Sequence, residues 1–223
     1  MSAEIQEIQV AARVHGRTLL RPAEDGTAGS GLLIGFHGYG ENAQRHLDAL
    51  VGVPGASAFH IASVQALHPF YNTRTGEVVA SWMTKQDREL AIADNIAYVA
   101  ATVADLKAQL SVGDDRLIWA GFSQGVAMAY RAAAGSGHAA RGLVALCGDV
   151  PPELAGRDLG AMPPVLIGCG ETDEWYNREK LTRDLELLET GGAQVEACVF
   201  DGGHEWTGQF YRACGRFLER VLV

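Results

Sequence analysis

Three things are scarce in this 223-residue chain, and each scarcity removes a class of function. It has no block of Lys or Arg and a formal charge of -9, which disfavours nucleic acid and anionic membrane surfaces as partners. It has no long hydrophobic run: the apolar stretches 31–36 and 163–169 fall far short of the roughly 20 residues that cross a bilayer, so no stable membrane insertion is expected. It also has little cysteine. Cys147, Cys169, Cys198 and Cys214 are widely spaced with no Cys-x-x-Cys pair, so neither a disulfide framework nor a zinc site is signalled, and buried free thiols are expected.

What is present is the composition of an ordinary globular protein, 48% hydrophobic and 20% charged. The length suits one domain over residues 1–223 with a continuous core. The first seven residues are partly acidic and lack the apolar core of a secretory signal, so a cytoplasmic location is expected. An acidic chain of this kind suits a small-molecule partner; a homodimer stays open.

Short β-rich runs alternate with longer helical patterns, the mark of a mostly parallel sheet flanked by helices, an α/β class. Strands are expected at 8–14 with 18–21 as an opening hairpin, then at 32–36, 59–64, 117–120, 143–146, 165–167 and 195–200. Helices are expected at 89–110, where Leu90, Ile92, Ile96, Val99, Val103, Leu106 and Leu110 approximate one face, at 176–190, and at 206–221. Residues 24–31 are rich in Gly and polar side chains and read as a loop. Two further segments, 65–88 and 148–164, lack periodicity; long connections of this kind tend to be functional, and the aromatic side chains of the first suit a pocket wall.

The chemistry starts at Gly121-Phe122-Ser123-Gln124-Gly125, between the apolar run 116–120 and the alanine-rich helical run 126–134. A Gly-x-Ser-x-Gly turn joining a strand to a helix strains the serine backbone and lifts its hydroxyl above the sheet edge. There it faces unpaired N–H groups of a helix N-terminus, which suit the oxyanion of acyl transfer. A serine hydroxyl needs a base, and the base needs a carboxylate to orient it. In strand-turn-helix hydrolases both follow the serine in the order acid, then histidine. His138 reads as a solvated turn residue, whereas His204 follows a strand through Asp201-Gly202-Gly203 and is the favoured base. Asp173, following strand 165–167 through a turn, is the favoured acid, with Asp149 next and Glu171 and Glu174 as rivals; Asp201 and Asp184 are awkwardly placed. The oxyanion hole needs two backbone donors, for which Gln124 N–H and Tyr39 N–H, in the turn His37-Gly38-Tyr39-Gly40, are the candidates. His37 has no partner at ligand spacing, so it reads as fixing the loop and not as binding a metal. Neither metal nor cofactor is required.

Together, Phe36-His37-Gly38-Tyr39-Gly40, Gly121-Phe122-Ser123-Gln124-Gly125, Gly170-Glu171-Thr172-Asp173 and Gly203-His204-Glu205 resemble the phospholipase/carboxylesterase family of α/β-hydrolases, which includes acyl-protein thioesterases. The resemblance runs from residue 32 to the carboxyl terminus. It implies an α/β-hydrolase fold without a large cap domain, a Ser123, Asp173 and His204 triad, and Tyr39 and Gln124 as oxyanion donors. Departures fall on the substrate side: Glu41 stands where the family commonly has Asp, and Trp82 is followed by Met83 and Thr84 where the family commonly has Phe and Asp.

The expected activity is therefore that of a serine carboxylesterase acting on small-molecule esters with apolar acyl groups through an acyl-enzyme. Thioester and lysophospholipid substrates suit the same machinery. A retired hydrolase fold serving as a binding module is the alternative of a different class, and a cysteine-dependent lactone hydrolase is disfavoured by serine at the elbow. Expected pocket walls are Tyr39, His68, Phe70, Tyr71, Trp82, Trp175 and Trp206.

Overall fold

In a computed structural model that describes residues 5–24, 30–113 and 115–222, seven strands form one sheet. They are β1 (Arg17–Arg21), β2 (Gly31–Phe36), β3 (Phe59–Gln65), β6 (Leu117–Phe122), β7 (Gly142–Leu146), β8 (Val165–Gly170) and β9 (Val195–Phe200), in the order β1-β3-β2-β6-β7-β8-β9. Only β1 runs antiparallel to its neighbour, β3. Strands β2, β6, β7 and β8 are buried along their whole length, which is why they read as continuous apolar runs and not as alternating ones.

Five helices cover the sheet. Helices α1 (Ala43–Val51) and α5 (Gly208–Leu222) lie on one face, and α2 (Arg88–Leu110), α3 (Gln124–Gly135) and α4 (Arg178–Thr190) on the other. Packing is tight enough to dictate small residues in the strands: a Cβ on Gly35 would come within 2.6 Å of the His46 ring of α1, and one on Gly168 within 2.4 Å of the Phe210 ring of α5. The core between the layers is built on Phe36, Trp119, Tyr130, Phe200, Phe210 and Phe217, all essentially inaccessible to water. Phe36 stacks on Trp119 with ring centroids 5.9 Å apart.

The sheet and most helices lie where the sequence places them, with instructive shifts. Residues 8–14 form no strand, so the opening hairpin is corrected. Ile8, Val10 and Val14 stay 64–82% exposed, so pairing them would bury nothing, and β1 pairs with β3 alone. Of the expected loop 24–31, residues 25–29 lie outside the described residues, and Gly31 already belongs to β2. Helix α4 starts at Arg178 and not at 176, because the Tyr176 N–H is taken by Asp173 and Asn177 caps the helix by accepting from Lys180 N. Helix α5 starts at Gly208, where Thr207 Oγ1 accepts from Phe210 N. Segment 65–88 holds a separate hairpin, β4 (His68–Tyr71) with β5 (Val78–Ser81). Both faces of β4 are exposed, so it carries no alternating pattern to read. No cap domain interrupts the sheet among the described residues.

Candidate active site

Every favoured site residue arrives at the carboxyl end of a strand of this sheet. Ser123 is the turn between β6 and α3, with φ 54° and ψ -120°, a conformation that few non-glycine residues adopt. Its surroundings hold it there. A Cβ on Gly121 would sit 2.5 Å from the Gly125 carbonyl oxygen, and one on Gly125 only 2.0 Å from that of Phe36, so the turn closes only with glycine at both places. The Ser123 N–H donates to Leu146 O at 2.9 Å, tying the elbow to β7.

The turn after β2 supplies the opposite rim. There Gly38 N–H donates to Glu41 Oε2 at 2.8 Å, Gly40 N–H to Ala80 O at 3.1 Å and Glu41 N–H to Gly38 O at 3.2 Å. Tyr39 N–H makes no hydrogen bond among the described residues, and neither does Gln124 N–H at the start of α3. Two backbone donors thus stay unpaired beside the serine. Glu41, one of the departures from the family pattern, serves this turn: burial raises its carboxyl above the ordinary value, opposed by the Gly38 N–H and by Arg45 and His204. The Gln124 side chain anchors the other flank, accepting from Trp82 N at 2.9 Å and donating to Met83 O at 3.1 Å.

His37 fixes the rim from below. Its Nε2 accepts from Ala66 N at 3.1 Å, so its proton sits on Nδ1, 2.7 Å from Gly38 O. Burial lowers this imidazole to about 4, against the pull of the Gly38 carbonyl, and keeps it neutral. Trp82 is not a pocket wall but a brace: fully buried, it donates Nε1 to His37 O at 2.8 Å and packs edge-on to Phe36.

His204 follows β9, and its Nδ1 lies 2.9 Å from Asp173 Oδ2 in the turn after β8. The other carboxylate oxygen of Asp173 accepts from Trp175 N at 2.8 Å and from Tyr176 N at 2.9 Å. Burial disfavours the charge on Asp173, yet the Tyr176 N–H, His204, the Trp175 N–H and the Cys147 thiol together hold its carboxyl below the ordinary 3.8. The rival acids are engaged elsewhere or turned to solvent. Asp149 pairs with Lys180 at 3.1 Å and Arg183 at 2.9 Å, Asp184 is buried beneath Val150 N and the Tyr176 hydroxyl, and Glu171 and Glu174 are exposed. His138 bonds Ala100 O, away from the elbow. A Ser123–His204 hydrogen bond is not formed among the described residues; such contacts commonly tighten when substrate binds.

Cys147, which the sequence offers only as a buried thiol, directly follows β7 at φ 54° beside this pair. Its Sγ and the ligand atoms of Asp173 and His204 lie within 4.8 Å of one another. Burial, then Asp173, push the thiol far up, so it stays protonated as a neutral neighbour of the carboxylate. A cation among the three would displace the His204–Asp173 hydrogen bond. All four cysteines are free.

A cleft of about 630 Å³ opens over Ser123 and His204. Of the aromatic residues expected to wall it, Tyr39 and Trp175 do. Phe70 packs against Tyr39 with tilted rings 5.6 Å apart but does not line the cleft, Tyr71 points to solvent, and His68 lies over a different depression with Gln86 and Leu90. Trp206 packs behind the site on Phe210 and Tyr211. The wall is made instead by Met83, Ala127, Val150, Pro151 and Pro152, with Arg88, Arg131, Asp149 and Lys180 among them. Gln124, Ala127 and Arg131 follow the three-and-four spacing of one helical face, a signal the sequence holds but whose meaning depends on knowing which face looks into the cleft.

A parallel sheet with a strained serine at a strand-helix elbow and a histidine-carboxylate pair beyond it defines a serine hydrolase of the α/β-hydrolase class. The family model described as Phospholipase/Carboxylesterase matches residues 23–222, and the chain belongs to that family. Solved structures of the same fold include esterase PE8, with 23% identity over 93% of this chain and 100% of its own and a TM-score of 0.71. The Bacillus cereus carboxylesterase has 17% identity over 92% of this chain and 94% of its own, TM-score 0.75. A carboxylesterase from Mesorhizobium loti has 19% identity over 92% and 93%, TM-score 0.73. No curated protein matches the chain. No helix among the described residues is long and apolar enough to cross a membrane.

Proposed function

We propose that this chain is a carboxylesterase in which Ser123 is the nucleophile, His204 the general base and acid, and Asp173 the group that orients His204. Ser123 Oγ attacks the ester carbonyl while its proton passes to His204, and the resulting oxyanion sits between the Tyr39 and Gln124 N–H groups. Collapse expels the alcohol, which takes the proton from His204, and leaves an acyl-enzyme; water, deprotonated by His204, then releases the acid. The observation that carries this reading is the 2.9 Å His204–Asp173 hydrogen bond, at the cleft that also holds Ser123. The apolar wall of Met83, Ala127, Val150 and the two prolines supports an apolar acyl arm. Thioesters suit the same machinery, and a cytoplasmic location belongs to the same reading.

Replacing Ser123 with Ala is expected to lower kcat for p-nitrophenyl butyrate by roughly 10^6-fold while leaving the thermal unfolding transition in place. Retained turnover in a pure variant would overturn the assignment. A binding module without catalysis predicts no turnover in the wild type either.

A further inference from the structure

The protein is strongly acidic, yet the charged side chains lining its cleft are mostly cationic: Arg88, Arg131 and Lys180 against Asp149. At one end Lys180 and Arg183 share Asp149, and Arg183 also meets Asp184, so two cations face two carboxylates there. The surplus therefore lies at the other end, where Arg88 of α2 and Arg131 of α3 share one carboxylate, Glu153, which does not itself line the cleft. Arg131 Nε meets Glu153 Oε1 at 2.6 Å, and Arg88 Nη2 meets Glu153 Oε2 at 3.5 Å. Arg88 also touches Glu89, but that carboxylate is 83% exposed and hydrated, so it offsets little.

Arg131 is the unusual member. Its side chain is only 4% exposed, and a guanidinium carries five N–H donors. Among the described residues it meets one strong acceptor, Glu153, and one weak one, Met83 Sδ at 3.6 Å. None of its nitrogens is both sealed from solvent and without a partner, so the donors that lack a protein acceptor keep access to solvent, and Arg131 lines the cleft. It also faces the right way. Residue 131 lies seven positions beyond Gln124, about 10 Å along α3, and helical side chains lean back toward the N-terminus. The guanidinium accordingly reaches Met83, whose carbonyl is held by Gln124 next to the nucleophile. The apolar Ala127 lies between the two ends on the same helical face.

We propose that Arg88 and Arg131 form a carboxylate subsite, and that the substrate is an ester whose apolar arm ends in a free carboxylate, a half-ester of a dicarboxylic acid. The proposal rests on the esterase reading of Ser123. Planar guanidinium groups bind carboxylates in pairs of parallel hydrogen bonds, and two of them at the end of an apolar wall favour that group over a neutral chain end.

The test compares 4-nitrophenyl hydrogen adipate with 4-nitrophenyl hexanoate, which differ only in the terminal carboxylate. The expected kcat/KM ratio favours the adipate half-ester by about tenfold or more at low salt and contracts toward one in 1 M NaCl. Arg88→Gln and Arg131→Gln should each lower that ratio by about tenfold. Should Arg131→Gln fail to fold, as judged by circular dichroism, Arg88→Gln decides alone. Hydrolysis of the hexanoate with no preference for the half-ester, or a preference that survives Arg88→Gln and high salt, overturns the subsite and leaves the esterase intact. Hydrolysis of neither ester overturns the esterase reading on which the subsite rests.

Discussion

The floor of the cleft and its wall are held by different forces. The floor is backbone: Ser123 and Cys147 sit at φ 54°, glycines 121 and 125 leave no room for a side chain, and Asp173 and Glu41 each commit one carboxylate oxygen to N–H groups of their own turns. The wall is side chain: Met83 and Arg88 from the connection into α2, Arg131 from α3 and Trp175 from the turn after β8 come from three separate segments and meet only because the sheet brings those segments together. Geometry in the first is over-determined, so changes there should strike catalysis whatever the substrate. Changes in the second should alter which substrate is preferred.

The sharpest way to break this contrast is Asp173→Asn. It keeps shape and burial but removes the charge that His204 leans on and offers Nδ1 the wrong hydrogen-bonding partner, so kcat should fall by roughly 10^4-fold equally for short and long acyl esters. A loss that depended on acyl length would place Asp173 in substrate binding instead.

Acid provides a second, smaller test of how rigid the floor is. His37 and His46 are buried and neutral, lowered by burial to about 4 and about 3 from an ordinary 6.5, with the charge of His37 adding to the effect on His46. Between those values the unfolded chain binds protons that the folded one refuses, so stability must fall as pH drops below 6.5, by about 1.4 kcal/mol per unit for each residue. Urea unfolding at pH 7 and pH 5 should show a loss of about 4 kcal/mol from the pair. A flat profile would mean that these imidazoles are not sealed under the rim. The smallest effects belong to the wall, where the Arg88 and Arg131 substitutions re-rank esters by about tenfold.

The same contrast explains what the sequence makes legible. The elbow can be read because a strained serine demands glycine at fixed spacing, and His204 and Asp173 because each follows a strand through a short turn in a set chain order. Trp82 and Trp206 are ambiguous in the sequence because an aromatic residue in a loop can line a cleft or brace it; here the Nε1–His37 hydrogen bond of Trp82 and the edge contact of Trp206 with His46 decide, and both are non-local. Helix α1 is not apparent in the sequence because it is only nine residues long and, although Ala43, His46 and Leu50 keep helical spacing, one of these three buried positions is a histidine and another a small alanine. Cys147 meets Asp173 only through the pairing of β7 with β8, which no local sequence pattern encodes.

Everything proposed for the floor converges on Ser123 as a nucleophile activated by its surroundings. Intact-mass and peptide mass spectrometry after exposure to a fluorophosphonate test it directly, because such probes react with an activated serine and not with an ordinary one. One adduct per chain is expected, on the peptide bearing Ser123, and none in Ser123→Ala. No adduct, or an adduct that persists in the variant, would contradict it.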